Sequence, residues 1–126
     1  MRTILLVEDE TLLREGVQEI LEAHGFKVIG AGDGVEALEW LDSVPVDLIV
    51  TDLVMPKMNG VDFVDQVRLR FPDMPIIVAS GSPKSVTKRL GIDSIDIPAA
   101  NSSIHKPFKG VDLVAQVKDL LPDSLI

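Results

Sequence analysis

The chain has 126 residues, no cysteine and a formal net charge of −8. That length suits one domain with its own core. The missing cysteines exclude a disulfide framework and a thiolate metal site, and the acidity argues against a general electrostatic grip on nucleic acid, which needs clustered Lys and Arg.

The first predicted element is "TILLVED" (Thr3–Asp9), an apolar run that ends on two acids. Acids placed there are wrong for a signal peptide, and no apolar stretch approaches the ~20 residues of a membrane span. The expected setting is therefore the cytoplasm, without membrane insertion. Glu10–His24 follows with helical spacing. Leu12, Leu13, Val17, Ile20 and Leu21 are predicted to share its buried face, with Gly25 placed to end it. His24 is read as a helix-end residue. The second strand is "KVIGAG" (Lys27–Gly32). A capping-box pair, Asp33 and Glu36, then precedes a helix carrying Val35, Leu38 and Leu41.

"VDLIVTD" (Val46–Asp52) is the third strand. Asn59 is placed to cap the next helix, which bears Phe63, Val64, Val67 and Phe71 before Pro72. "PIIVASG" (Pro75–Gly81) is the fourth strand. After it, Lys84–Leu90 can form a short helix ended by Gly91, and "NSSIHK" (Asn101–Lys106) is a weaker fifth strand. Leu113, Val114, Val117, Leu120 and Leu121 form the last helical stripe. Three of the strands are apolar almost throughout, as strands covered on both faces are. Alternating strands and helices of this kind predict an α/β fold, a doubly wound five-stranded parallel sheet with helices on both faces. Residues 1–126 are read as one domain with no output module.

In such a sheet ligands bind beyond the carboxyl ends of the strands. Glu8 and Asp9 lie there on the first strand and Asp52 on the third. If these strands are neighbours, about 4.8 Å apart, three carboxylates converge. Each acid alone reads best as a cap or turn former. Together they repel one another, and a hard divalent cation relieves that. Ser80 and Lys106 close the fourth and fifth strands. With the acids they make a phosphoryl-transfer site, where positioning and charge neutralisation do most of the catalysis. A carboxylate such as Asp52 is a known nucleophile in that chemistry.

These pieces resemble a bacterial response-regulator receiver domain along nearly the whole chain. The matching segments are "LLVEDE", "DLIVTDLVMPKMNG", Ser80 and "KPF" (Lys106, Pro107, Phe108). The resemblance implies a flavodoxin-like strand order 2-1-3-4-5. It implies that Glu8, Asp9 and Asp52 hold Mg2+ (or Mn2+) with the backbone carbonyl of Val54. It implies that Asp52 accepts a phosphoryl group from a histidine kinase or phosphotransfer protein, and that Ser80 and Lys106 bind the phosphoryl oxygens. A cis peptide between Lys106 and Pro107 is also implied. The expected output is a change in the 81–105 and C-terminal face that modulates a partner protein, from a monomer or weak homodimer, with no turnover of an external substrate.

The chain departs from that family at Ser103, where an aromatic is usual three residues before the lysine. The segment Gly81–Ser103 is also longer than usual. It suggests a subgroup without the switch aromatic, and it is expected to be mobile without phosphate and ordered when Asp52 is phosphorylated. Two rivals fit less well. An aspartate-nucleophile phosphatase needs a second acid two residues after the nucleophile, and Val54 stands there. A flavin protein needs a phosphate loop where Glu8, Asp9 and Glu10 would repel one. A phosphate-independent receiver-like scaffold is the remaining alternative.

Overall fold

A computed structural model describes residues 2–53, 57–80 and 100–121. Its strands are β1 (Thr3–Val7), β2 (Lys27–Ala31), β3 (Leu48–Asp52), β4 (Ile76–Ser80) and β5 (Ser102–His105). All pair in parallel, in the order β2-β1-β3-β4-β5. The helices are α1 (Thr11–Ala23), α2 (Gly34–Ser43), α3 (Gly60–Arg70) and α4 (Gly110–Leu120). The short helix expected over Lys84–Leu90 and the mobility expected of Gly81–Ser103 lie largely outside the described residues.

The two-sided burial predicted from the apolar strands is what the packing shows. On one face, Leu5, Val7, Ile49 and Val78 meet Ala37 and Leu41 of α2 and Phe63, Val64 and Val67 of α3. On the other, Ile4, Leu6, Leu48, Val50 and Ile77 meet Val17 and Leu21 of α1 and Leu113, Val114 and Val117 of α4. Alternate residues of one strand thus feed different layers. Each large side chain so buried contributes about 1.5–3 kcal/mol against chain entropy.

Local signals set the helix ends. Asp33 Oδ1 accepts from the Glu36 N–H at 2.8 Å, and Asn59 Oδ1 from the Asp62 N–H at 2.9 Å. The returning arm of the first cap lands one residue early, since Glu36 Oε1 takes the Gly32 N–H at 2.8 Å. Gly25, at φ +91°, follows α1 in the left-handed region that favours glycine. His24 Nδ1 lies 2.9 Å from the Ile20 carbonyl, at the helix end as expected.

Two apolar residues leave their predicted faces. Leu12 is 81% exposed and Val35 is 40% exposed. At about 100° per residue, Leu12 stands about 140° around the helix from buried Val17 and Val35 about 120° from buried Leu41, so both lie off the face that meets the sheet. Among the described residues, no helix is long and apolar enough to cross a membrane.

Candidate functional site

β1 and β3 are neighbours, and their carboxyl ends bring the acids together. One carboxylate oxygen from each of Glu8, Asp9 and Asp52 lies within 4.8 Å of the others. Glu8 and Asp52 are buried, while Asp9 is exposed. Burial follows from topology: β1 is flanked by β2 and β3, and β3 by β1 and β4. Rigid strand backbone therefore aims both carboxylates.

Lys106 reaches into the same space from the end of β5. Its Nζ donates to Glu8 Oε1 at 2.6 Å and to Asp52 Oδ2 at 3.1 Å. These residues stand 98 and 54 positions away in the chain. The Lys106–Pro107 peptide is cis, as the resemblance implied. Ser80 ends β4 in register with His105, while Asp52 is in register with Ala79. His105 is exposed beside the half-buried Lys106. Val54, whose carbonyl was expected to complete the ligand set, lies outside the described residues.

Electrostatics bear on what the site would hold. Burial pushes the Glu8 carboxyl up from its ordinary range, and the Asp52 charge adds to this. Hydrogen bonds from Lys106 and the Glu10 N–H oppose the rise without cancelling it. Burial alone would lower the Lys106 ammonium. The Glu8 hydrogen bond and the charges of both acids outweigh it, so Lys106 lies above the ordinary lysine range. Three acids carry more negative charge than one lysine offsets, and an all-oxygen donor set with that excess fits a hard divalent cation.

The chain around Asp52 is tightly packed. A Cβ added at Gly60 would sit 2.5 Å from the Asp52 carbonyl oxygen and 2.6 Å from Leu53 Cα. Only glycine allows that approach, and the Gly60 N–H donates to the Leu53 carbonyl at 2.6 Å. Two contributors escaped the sequence reading. Thr51 is fully buried, and its hydroxyl donates to the Asp52 carbonyl at 3.0 Å. A hydroxyl inside the otherwise apolar "LIVTD" was the available signal. Lys57, at φ +68°, reaches the α2 cap Asp33 at 3.5 Å, while Met58 packs on Gly34. Residues 57 and 58 thereby contact the start of α2.

Comparisons with known proteins agree with this geometry. The model of the response regulator receiver domain family matches residues 4–118. The transcriptional regulatory protein CpxR of Escherichia coli (strain K12) is 36% identical over 124 residues, covering 98% of this chain and 51% of CpxR. The sensor kinase CckA of Brucella abortus is 36% identical over 121 residues, covering 94% of this chain and 12% of CckA. The chain thus spans about half of the first protein and a small part of the second. Among solved structures, response regulator TrrA from Thermotoga maritima, in complex with Mg2+-BeF, superposes with a TM-score of 0.81. It is 29% identical, with 95% of this chain and 99% of that chain covered.

Proposed function

The chain belongs to the response regulator receiver domain family, and from that premise we propose that Asp52 is its phosphoacceptor. Receiver domains are signalling switches rather than classical enzymes, and they bind Mg2+ at the acidic pocket. Here Glu8, Asp9 and Asp52 would hold Mg2+ (or Mn2+) with the Val54 carbonyl, and the ion would supply positive charge to balance an incoming phosphoryl group. An Asp52 carboxylate oxygen attacks phosphorus. The O–P bond forms as the bond from phosphorus to the donor histidine nitrogen breaks. Lys106 then exchanges a carboxylate oxygen for a phosphoryl oxygen, and the Ser80 hydroxyl donates to another.

The observation that carries this reading is the contact of Lys106 with both Glu8 and Asp52. It joins the metal ligands, the nucleophile and a phosphate-binding cation in one site. It also couples that site to β5, because Lys106 directly follows the strand. A change of partner at Lys106 acts on an edge strand of the sheet, and a partner protein reads that face.

The donor is a histidine kinase or phosphotransfer protein. An apolar groove of about 440 Å³ opens beside Lys106, lined by Leu12, Leu13, Ile20, Pro107 and Phe108. An amphipathic donor helix seated there would present a phosphohistidine to Asp52. Leu12→Glu is expected to lower the kinase-driven rate about tenfold relative to the rate with a small phosphodonor, as loss of one apolar anchor would.

Intact mass after incubation with Mg2+ and acetyl phosphate tests the core of the proposal. Wild type gains one phosphoryl group and Asp52→Asn gains none. A gain in Asp52→Asn would move the acceptor elsewhere. No gain in wild type, with Mg2+ binding also absent, would favour the phosphate-independent scaffold, for which the exposed Ser103 is the one favouring feature.

A further inference from the structure

The acid loop at the start of the site is clamped from outside the sheet by an arginine. β2 contains Gly30 and runs on into Gly32. Glycine weakens a strand, and inside one it often marks the close approach of another group. Here that group is Arg14 of α1. A Cβ at Gly30 would lie 3.2 Å from Arg14 Cδ and 3.4 Å from Nε, and one at Gly32 would lie 3.7 Å from Nη1. The arginine stem therefore runs along bare β2 backbone, at the end of the sheet that carries the acids. Its Nη1 donates a 2.6 Å hydrogen bond to the Glu8 carbonyl. That carbonyl belongs to the peptide plane joining Glu8 to Asp9.

The two acids differ in their support. The Glu8 N–H donates to the Ala31 carbonyl at 2.9 Å. Glu8 Oε1 accepts from Lys106, and Oε2 accepts from the Glu10 N–H at 3.1 Å. Asp9 is exposed, and among the described residues no side chain is bonded to its carboxylate. Its carboxylate is therefore oriented through its own backbone, of which the Glu8–Asp9 peptide is the part that Arg14 holds.

We propose that Arg14 is a positioning residue for the divalent-cation site: by holding the Glu8–Asp9 peptide it aims Asp9 and tightens Mg2+ binding. The inference rests on the reading of Glu8, Asp9 and Asp52 as metal ligands. Gly30 and Gly32 leave the space in which the arginine lies. Charge alone predicts the opposite sign, since a guanidinium near the acids repels a cation. The two roles are therefore separable.

The test is a calorimetric Mg2+ titration of the full chain. Wild type is compared with Arg14→Met, Arg14→Lys, Gly30→Val and Asp9→Asn, and thermal midpoints are recorded in EDTA. Arg14→Met raises the Mg2+ Kd about tenfold, the low end for residues that orient metal ligands. Arg14→Lys keeps the charge and a donor and recovers part of the loss. Gly30→Val fills the arginine's bed and raises the Kd in the same direction, although valine is the better strand former. If Arg14→Met does not fold, Gly30→Val and Arg14→Lys decide the matter. An unchanged or lower Kd in these variants overturns the proposal. If Asp9→Asn binds Mg2+ as tightly as wild type, the metal-site reading itself fails. If Asp9→Asn loses binding while Arg14→Met keeps it, only the role of Arg14 falls.

Discussion

Replacing Lys106 with Met keeps most of the side-chain volume and removes the cation between two buried acids. Hydrogen bonds to charged partners contribute about 1.5–3 kcal/mol each, and Lys106 makes two, at 2.6 and 3.1 Å. Removing one partner of a buried ion pair costs about 3–5 kcal/mol. The Lys106 side chain keeps 18% of its surface exposed, so the low end, about 3 kcal/mol, is expected without metal. For a chain of this length that is about 10 °C in Tm. Glu8 already holds its proton above the ordinary range and takes it up more readily once Lys106 is gone, so the deficit shrinks as pH falls. If Glu8 and Asp52 hold Mg2+ as proposed, the ion competes there with Lys106 in wild type and has no such competitor in Lys106→Met. The rise in Tm on adding saturating Mg2+ is therefore larger in the variant. Thermal melts of both proteins in EDTA and in Mg2+ make the comparison. Equal Mg2+ shifts, or a variant no less stable in EDTA, would refute the idea that Lys106 stands in for the cation.

The same ammonium predicts an alkaline limb. Its folded-state pKa is raised, so its stabilisation is fully present below the ordinary lysine range and is lost as pH rises through the raised value. Urea midpoints of wild type should fall there, and those of Lys106→Met should lack that component. Gly60→Ala drives a Cβ into the Asp52 carbonyl and Leu53 Cα. Backbone has to move, so a loss of about 2–3 kcal/mol is expected by urea unfolding, together with slower phosphorylation of Asp52. Asp33→Ala removes the α2 cap and the Lys57 contact, for about 1 kcal/mol. The Glu36 N–H bond, aided by Lys57, holds the Asp33 carboxyl below its ordinary range. Its contribution is thus present above the unfolded carboxylate value and lost as pH falls through the depressed one. The stability gap between wild type and Asp33→Ala should close in acid, and a gap independent of pH would count against the cap.

The strands "TILLV" and "LIVTD", the Asn59 cap and the glycine after α1 were legible because each is a local signal. Side-chain caps and helix-ending glycines act within a few residues, and a run that is apolar on both faces marks a covered strand. The acid trio was legible as well, since strand ends share one edge in a parallel sheet. Ser80 was placed at its strand end by the same logic.

What only the tertiary structure decided depends on which surfaces meet. Leu12 lies at the edge of the apolar spacing of α1, about 140° around from Val17, and it is left in solvent at the rim of a groove. Arg14 is one of three arginines on the described helices, with Arg68 and Arg70, and its meaning comes from the bare backbone of Gly30 beneath it. The pairing of Lys106 with Glu8 spans 98 positions. Sequence spacing fixes the side-chain chemistry and the element that carries it. Strand order fixes which charges share a low-dielectric space, and therefore which lysine neutralises which acid.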